Sequence, residues 1–146
     1  MDYLPIMLRL QDQKVLVVGG GQVATRKVAM LLRAGAGVRL VADTVDPALA
    51  QTLSESPHEV LHTRFQPEHI DGVRLVVAAT NDNAVNLQVY EESRQRCVPV
   101  NVVDNPALCD FIFPSIVDRS PVIVAVSSGG NSPVLARLLR SRLETY

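Results

Sequence analysis

The 146-residue sequence predicts an α/β fold, a parallel sheet with helices between its strands, followed by a two-stranded ribbon and one more helix. Over the first hundred residues, apolar runs alternate with segments of helical periodicity, which is the pattern of parallel βαβ units. After Asn105 and Pro106 the pattern changes to two apolar runs and a final amphipathic segment. The strands predicted for the sheet are Lys14–Val18, 38–42, 60–65, 75–79 and 99–103.

Capping residues and glycines predict where the intervening helices begin and end. The first helix closes at Gly35, and Asp46, followed by proline, opens a second, short helix. Asn81 or Asp82 caps a third helix that runs to about residue 96. The strand at 60–65 is the most polar of the five, which indicates a position near the edge of the sheet.

The segment after the first strand contains three consecutive glycines and leads directly into the first helix. A tight turn requires a residue without Cβ at Gly19, Gly21 lets the backbone approach a pyrophosphate, and the small Ala24 lets the helix pack closely on the strand. The first helical amides, near Gln22 and Val23, have no intrahelical partner and suit an anion. The segment therefore predicts a dinucleotide site in a Rossmann-like sheet.

An acidic residue at the end of the second strand indicates which dinucleotide is bound. Asp43 is placed to accept hydrogen bonds from the ribose 2′-hydroxyl of NAD and to repel the 2′-phosphate of NADP. Thr44 follows it and offers a second contact. Arg26 and Lys27 are explained equally well as electrostatic support or as a solvated helix face.

Two further candidates follow the fourth and fifth strands, where ligands bind in an open parallel sheet. Thr80 is expected near the cofactor, and Asp104 is expected in the cleft where a nicotinamide ring would lie. A carboxylate there could accept a proton or contact a metal ion transiently. Position alone supports equally a turn-forming role for Asp104 before Pro106.

The C-terminal part, residues 113–146, has too little apolar material to form a core of its own. The tail is therefore expected either to lie on the nucleotide-binding domain or to pair with a second copy of the chain. The run Val122–Val126 is apolar throughout, which favours pairing with a second copy. The loop before the last helix carries exposed hydroxyls and amides that could bind an anion. Ser132 or Asn131 as helix cap is the simpler explanation of that loop.

Composition excludes several classes of protein. Apolar residues make up 47% of the chain and its formal charge is −1, so a soluble globular domain is expected, without general attraction to nucleic acid or anionic membranes. No apolar run is long enough to span a membrane, and the N-terminus lacks the features of a signal peptide. Cys97 and Cys109 are isolated, which favours a cytoplasmic location. His58 and His62 do not form a convincing metal pair.

Four motifs and the N-terminal segment Asp2-x-Leu4-Pro5-Ile6 together resemble the N-terminal module of siroheme synthase, the precorrin-2 dehydrogenase and sirohydrochlorin ferrochelatase. The resemblance extends over essentially the whole chain, and the last two motifs are far more specific than the glycine pattern. The motifs are Gly19-Gly-Gly-Gln-Val-Ala-Thr-Arg-Lys27, Asn101-Val-Val-Asp104, Phe113-Pro-Ser-Ile-Val-Asp-Arg-Ser-Pro121 and Val126-Ser-Ser-Gly-Gly-Asn-Ser-Pro-Val-Leu-Ala-Arg-Leu-Leu139.

The resemblance implies oxidation of precorrin-2 to sirohydrochlorin with NAD+ as hydride acceptor, followed by insertion of Fe2+ to give siroheme. It implicates Asp104 in both steps, including a transient contact with Fe2+, with no stable metal site. The substrate carries many carboxylates, and the loop residues Ser127, Ser128, Gly129 and Asn131 are candidate handles for them. On this interpretation, phosphorylation of Ser128 would add about two negative charges and weaken binding of the polyanion.

The resemblance also implies an intertwined homodimer formed through residues 113–146, with the NAD-binding domain at residues 1–112. Members of the family continue into a helical domain, and many carry a methyltransferase domain. This sequence shows no trace of the latter, so methylation with S-adenosylmethionine is not expected of it.

Two other functions remain open. One is a non-catalytic module that binds NAD, senses redox state and acts through dimerisation; it would not need the carboxylate of Asp104. The other is a short NADP-dependent reductase of another substrate, which Asp43 disfavours.

Overall fold

The computed structural model describes residues 1–55 and 58–146 of the chain. These residues form two compact units, one of Met7–Asp110 and one that combines Met1–Ile6 with Phe111–Tyr146. The sequence pattern did not predict that the first six residues belong to the same unit as the C-terminal part. The division into an NAD-binding domain at residues 1–112 and a dimer-forming part at residues 113–146 stays a prediction.

The larger unit contains a five-stranded parallel sheet in the order β3-β2-β1-β4-β5. The chain passes outward from the central β1 to β2 and β3, and then returns to the other side of β1 for β4 and β5. This reversal of direction creates the crevice at which doubly wound sheets bind ligands. The strands are β1 Lys14–Val18, β2 Gly37–Val41, β3 Glu59–Leu61, β4 Leu75–Ala78 and β5 Val100–Val102.

The core lies on both faces of the two central strands. All four residues of β4 and the last four of β1 are buried, as predicted for strands that helices cover on both sides. The covering helices are α1 Gln22–Arg33, α2 Pro47–Ser54 and α3 Asn83–Gln95.

The predicted helix starts are confirmed at two caps. The Asp46 carboxylate accepts a hydrogen bond from the amide of Ala48, at 2.9 Å, and begins α2. Of the two candidates for α3, Asp82 is the cap, because its carboxylate accepts from the amides of Ala84 and Val85.

The strand predicted at 60–65 is wrong in length, although its place at the edge is confirmed. Only Glu59–Leu61 pair with β2, and a 3-10 turn at Pro67–Ile70 follows. Phe65 turns inward and is buried without belonging to a strand. The apolar character of Phe65 therefore comes from its burial in a loop, and it does not indicate a strand.

The smaller unit consists of an antiparallel ribbon and a helix, as predicted. The ribbon pairs β6 Ser115–Arg119 with β7 Val122–Val126, and Pro133–Glu144 form α4. Ser132, rather than Asn131, caps this helix by accepting from the amide of Leu135.

Apolar side chains of the smaller unit remain exposed. Val122 is 61% exposed on the ribbon, and Leu138 is 51% exposed on the helix. Val117 and Ala136 are the buried apolar residues of this ribbon and helix. Nowhere among the described residues is a helix both long enough and apolar enough to cross a membrane.

Candidate functional site

Gly19 occupies a backbone conformation and a space that no other residue fits. Its φ is +114°, and a Cβ placed on it would lie 2.4 Å from the carbonyl oxygen of Ala79. Its amide donates to the carbonyl of Val41, at 2.9 Å. The turn after β1 is thus held between the ends of β2 and β4, at the carboxyl edge of the sheet.

Gly20 fixes this turn to the loop that follows β2. A Cβ on Gly20 would lie 2.2 Å from the carbonyl oxygen of Thr44, and the amide of Asp46 donates to the carbonyl of Gly20, at 2.7 Å. Sequence reasoning did not single out Gly20, because its constraint comes from a loop twenty residues further on. The contact places Thr44 and its neighbour Asp43 beside the glycine turn.

Gly21 is the N-cap of α1, and no atom lies within 4 Å of a Cβ built on it. No side chain caps this helix, so the first amides, including those of Gln22 and Val23, are not satisfied by a capping side chain. Both residues are exposed, as is Asp43. Open space, unsatisfied amides and an exposed acid together fit the pyrophosphate and ribose of a dinucleotide.

A hollow of about 460 Å3 opens at the carboxyl ends of β4 and β5. Thr80 and Asp104, predicted to lie near the cofactor and in the cleft, both line it. Since the carbonyl of Ala79, which precedes Thr80, lies against Gly19, this hollow adjoins the glycine turn.

The Thr80 hydroxyl is engaged within the protein. It donates to Oδ1 of Asn86, at 2.7 Å, and the Asn86 side chain in turn donates to the Thr80 carbonyl, at 3.0 Å. Asn86 is buried and was not predicted as a site residue. Its position four residues into α3 gave no signal in the sequence, because the loop that it holds is formed by the fold.

Asp104 is exposed, and its backbone has a φ of +60°. Non-glycine residues in this left-handed region are uncommon, and the strain that they carry is concentrated at functional sites. The turn that contains Asp104 is held by Cys109, whose thiol donates to the carbonyl of Val102, at 3.2 Å. Burial raises the pKa of the Cys109 thiol.

Lys27 on α1 interacts electrostatically with Asp104. Burial lowers the pKa of Lys27 below its ordinary value, and the negative charge of Asp104 opposes that shift. Lys27 is half-buried, which disfavours the interpretation of this part of α1 as a fully solvated face. The sequence could not reveal the pairing, since the two residues lie on different elements.

The candidate substrate loop lies in the smaller unit, where a second hollow of about 270 Å3 opens between the ribbon and α4. Ser127 and Ser128 line this hollow together with Gly130 and Arg137. Gly129 and Asn131 are not among its lining residues. Gly129 has a φ of +65°, and a Cβ built on it would lie 3.6 Å from the ring of Tyr3.

Two of the three histidines, His58 and His69, accept hydrogen bonds from backbone amides. Nδ1 of His58 accepts from the amide of Val38, at 3.2 Å, and Nδ1 of His69 accepts from the amide of Gln66, at 3.0 Å. In the described part of the chain, no group of three or more His, Cys, Asp or Glu side chains is arranged to hold a metal ion.

Comparison with known proteins accounts for nearly the whole chain. Residues 6–115 match a family model described as "Putative NAD(P)-binding", and residues 120–146 match one described as "Sirohaem biosynthesis protein central". The siroheme synthase of Pseudomonas putida (strain W619) is 56% identical over 146 residues, and that of Methylobacillus flagellatus is 54% identical over 145. The solved structure of SirC, precorrin-2 dehydrogenase, superimposes with a TM-score of 0.84 at 31% identity, over 98% of this chain and 70% of that one.

The chain belongs to the siroheme synthase N-terminal family. The resemblance inferred from the sequence motifs is therefore confirmed, as is the Rossmann-like sheet with its C-terminal ribbon and helix. The chain spans about a third of the length of the curated siroheme synthases that it matches: 32% of the P. putida protein and 31% of the M. flagellatus protein.

Proposed function

We propose that this chain is the NAD-dependent dehydrogenase part of a siroheme-forming enzyme, oxidising precorrin-2 to sirohydrochlorin. The observation that carries the proposal is the exposed carboxylate of Asp104 in a hollow that adjoins the glycine turn. The family supports the same reaction, since its relatives are siroheme synthases and a precorrin-2 dehydrogenase.

The dinucleotide would be held by the residues of the larger unit. The amides of Gln22 and Val23 would bind the pyrophosphate in front of Gly19 and Gly21. Asp43 would accept from the ribose, which favours NAD over NADP, and Thr44 stands beside it. When bound, the nicotinamide supplies the acceptor for the hydride.

Asp104 would take up the proton that the substrate loses when the hydride leaves. An exposed carboxylate suits this role, because it can accept a proton and is accessible to a large substrate. The negative charge of Asp104 in turn favours the ammonium form of the half-buried Lys27. Thr80 would shape the wall of the cleft through its backbone, since its hydroxyl is bonded to Asn86.

We infer a second reaction at the same carboxylate, the insertion of Fe2+ into sirohydrochlorin. Metal insertion releases two pyrrole protons, and Asp104 is a suitable acceptor that could also contact the incoming ion transiently. Fe2+ is a substrate in this step, and we propose no resident metal ion.

The smaller unit and the composition of the chain suggest its further partners and its location. Ser127, Ser128, Gly129 and Asn131 are proposed to bind the tetrapyrrole, and residues 113–146 to form a homodimer. The exposed apolar side chains of the ribbon and α4 support the dimer. We propose a cytoplasmic protein that binds neither nucleic acid nor membranes.

The test is anaerobic incubation with precorrin-2 and NAD+, following the tetrapyrrole and NADH absorbance with and without ferrous iron. Asp104→Asn is expected to lower turnover by about a hundredfold or more, because a positioned acid–base group is removed, while NAD affinity is unchanged. The matched control is Asp71→Asn, an exposed acid at the opposite, amino end of β4. Full turnover in the Asp104 variant would remove Asp104 from the reaction, whereas an unaltered chain that binds NAD without oxidising precorrin-2 would favour the redox-sensing module.

A further inference from the structure

The hollow between the ribbon and α4 has polar groups that donate hydrogen bonds and walls that are apolar. Ser127 and Ser128 lie on one side of it, and Arg137 lies on the helix opposite. Phe113, Val126 and Ala136 supply apolar surface. Neither an aspartate nor a glutamate is among the lining residues.

Each of the two serine hydroxyls accepts one hydrogen bond from a backbone amide. Oγ of Ser127 accepts from the amide of Gly129, at 3.1 Å, and Oγ of Ser128 accepts from the amide of Ser132, at 2.9 Å. A hydroxyl carries one proton besides its lone pairs, and no acceptor for either proton lies among the described residues. These contacts orient two O–H donors that remain to be satisfied.

Arg137 adds a guanidinium with five N–H donors. Within the described part of the chain, no carboxylate lies within 4.0 Å of it and no hydrogen bond satisfies it, whereas Arg140 on the same helix pairs with Glu144 at 3.6 Å. Arg137 is also next to the buried Ala136, which anchors this turn of α4 beneath the hollow. The site therefore has an excess of donors and a net positive charge.

We infer that Arg137, Ser127 and Ser128 form a binding site for one carboxylate arm of an organic polycarboxylate. A planar guanidinium matches a carboxylate with two parallel hydrogen bonds, and the oriented hydroxyls can satisfy its remaining lone pairs. The apolar walls suit the methylene groups of an acetate or propionate arm better than they suit a free inorganic anion.

The size of the hollow decides how much of such a ligand it takes. At about 270 Å3 it lies below the usual range for pockets that enclose a whole drug-sized molecule, so it suits a side arm with part of its ring. If the proposed function is correct, Arg137 is a specificity-determining residue for the tetrapyrrole and makes no contact with the reacting atoms. This assignment rests on the proposed function only for the identity of the ligand.

The test measures equilibrium binding of uroporphyrin, a tetrapyrrole with eight carboxylates, by fluorescence titration of the full 146-residue chain without NAD. Arg137→Met is expected to raise the Kd by about tenfold or more, as for loss of a charge-assisted contact, and Arg137→Lys by less. The matched control is Arg142→Met, which removes an exposed arginine outside the hollow on the same helix and should change the Kd by less than about twofold.

A second measurement locates the site. Glutarate is expected to shift the amide resonances of Ser127, Ser128 and Gly130 in NMR spectra of the unaltered chain, and to shift them far less in the Arg137→Met variant. Equal losses of uroporphyrin binding in the Arg137 and Arg142 variants, or no binding by the unaltered chain, would overturn the assignment.

The outcomes also separate this site from the dehydrogenase. Binding that depends on Arg137 in a chain that fails to oxidise precorrin-2 would leave the carboxylate site standing and remove the proposed reaction. If the chain oxidises precorrin-2 and the KM for precorrin-2 is unchanged in Arg137→Met, the proposed reaction stands and the carboxylate site is removed. A raised KM with unchanged kcat and unchanged NAD affinity is the result expected if both hold.

Discussion

At the scale of single residues, Gly19 and Gly21, which flank Gly20 in the same turn, have different functions. Gly19 is required by the fold, because of its φ of +114° and the carbonyl of Ala79 that a Cβ would meet. Gly21 has a φ of −87° and open space around it, so any residue could adopt its conformation. Its lack of a side chain matters only if something approaches from outside.

This difference predicts opposite results for the same substitution at the two positions. Gly19→Ala is expected to lower the free energy of unfolding by at least about 2 kcal/mol, through backbone strain and a steric clash. Gly21→Ala should lower it by no more than about 1 kcal/mol, the cost of alanine at a helix N-cap. It should still raise the Kd for NAD by about tenfold or more, since the methyl group occupies the space of the pyrophosphate.

Urea denaturation and calorimetric titration with NAD measure the two effects, and each variant serves as the control for the other. A Gly21→Ala variant that binds NAD like the unaltered chain would contradict the placement of the pyrophosphate at this turn.

Local chemistry explains which individual residues the sequence could identify. Asp46 and Asp82 act on neighbours a few residues away, so local spacing alone pointed to their structural roles. Asn86 and Lys27 act on groups that only the folded sheet brings close to them. The periodicity of apolar residues along the sequence gives no information about contacts between side chains on different elements.

At the scale of elements, the edge strand β3 is attached to the sheet by ion pairs as well as by its backbone hydrogen bonds to β2. The carboxylate of Glu59 accepts from the guanidinium of Arg39 on β2, at 2.8 Å, and from the ammonium of Lys14 on β1, at 3.2 Å. The Arg39 guanidinium also donates to the carbonyl of His69, at 2.7 Å. This cluster ties a strand of three residues to the centre of the sheet.

The cluster predicts how stability depends on acid. The hydrogen bond from Arg39 holds the pKa of Glu59 below its ordinary value of 4.5, so the unfolded chain binds the proton more readily than the folded one. The stabilisation is therefore complete above about pH 4.5 and is lost as the pH falls through the folded pKa. Because the Glu59 side chain is 40% exposed and solvent screens its charge, we expect a contribution of less than about 1 kcal/mol.

Thermal unfolding of Glu59→Gln beside the unaltered chain, from pH 3 to pH 7, measures this contribution. The difference in stability should be largest near neutral pH and should shrink toward pH 3. Glu55→Gln, an exposed glutamate just after α2, is the control and should show no such trend. A constant difference at every pH would mean that packing, and not charge, holds the strand.

Strand lengths show where sequence patterns lose information. The bounds of β1 were predicted to the residue, because burial on both faces gives an uninterrupted apolar run that begins and ends sharply. The end of β3 was not, since Phe65 contributes to the core from a loop. An edge strand has only one neighbour, and its limits depend on that neighbour's register.

At the scale of the whole molecule, the order of the elements was predictable and the grouping of the chain ends was not. Alternating patterns predict parallel βαβ units regardless of detail, and the change of pattern after Pro106 marks the start of the ribbon and helix. The joining of residues 1–6 to the C-terminal unit depends on contacts between distant parts of the chain.

The exposed apolar side chains of the smaller unit predict its state of assembly. Substituting both Val122 and Leu138 by Asp should convert a dimer into a monomer, because a charge in an apolar interface is costly. Light scattering after size-exclusion chromatography gives the mass directly.

The control is Leu87→Asp, which adds a charge at a similarly exposed leucine in the larger unit and should leave the mass unchanged. An unaltered chain that is monomeric at high micromolar concentration would remove the dimer from the proposal.

The bond between the amide of Asp46 and the carbonyl of Gly20 has a practical consequence for redesign of the nucleotide preference. The loop that would discriminate the adenosine ribose and the loop that would cradle the phosphates share this bridge, so a change in one shifts the other. Swapping the acid at position 43 for a basic residue should therefore preserve the main chain from Thr44 to Asp46. Grafting an entire foreign loop would disturb phosphate binding as well.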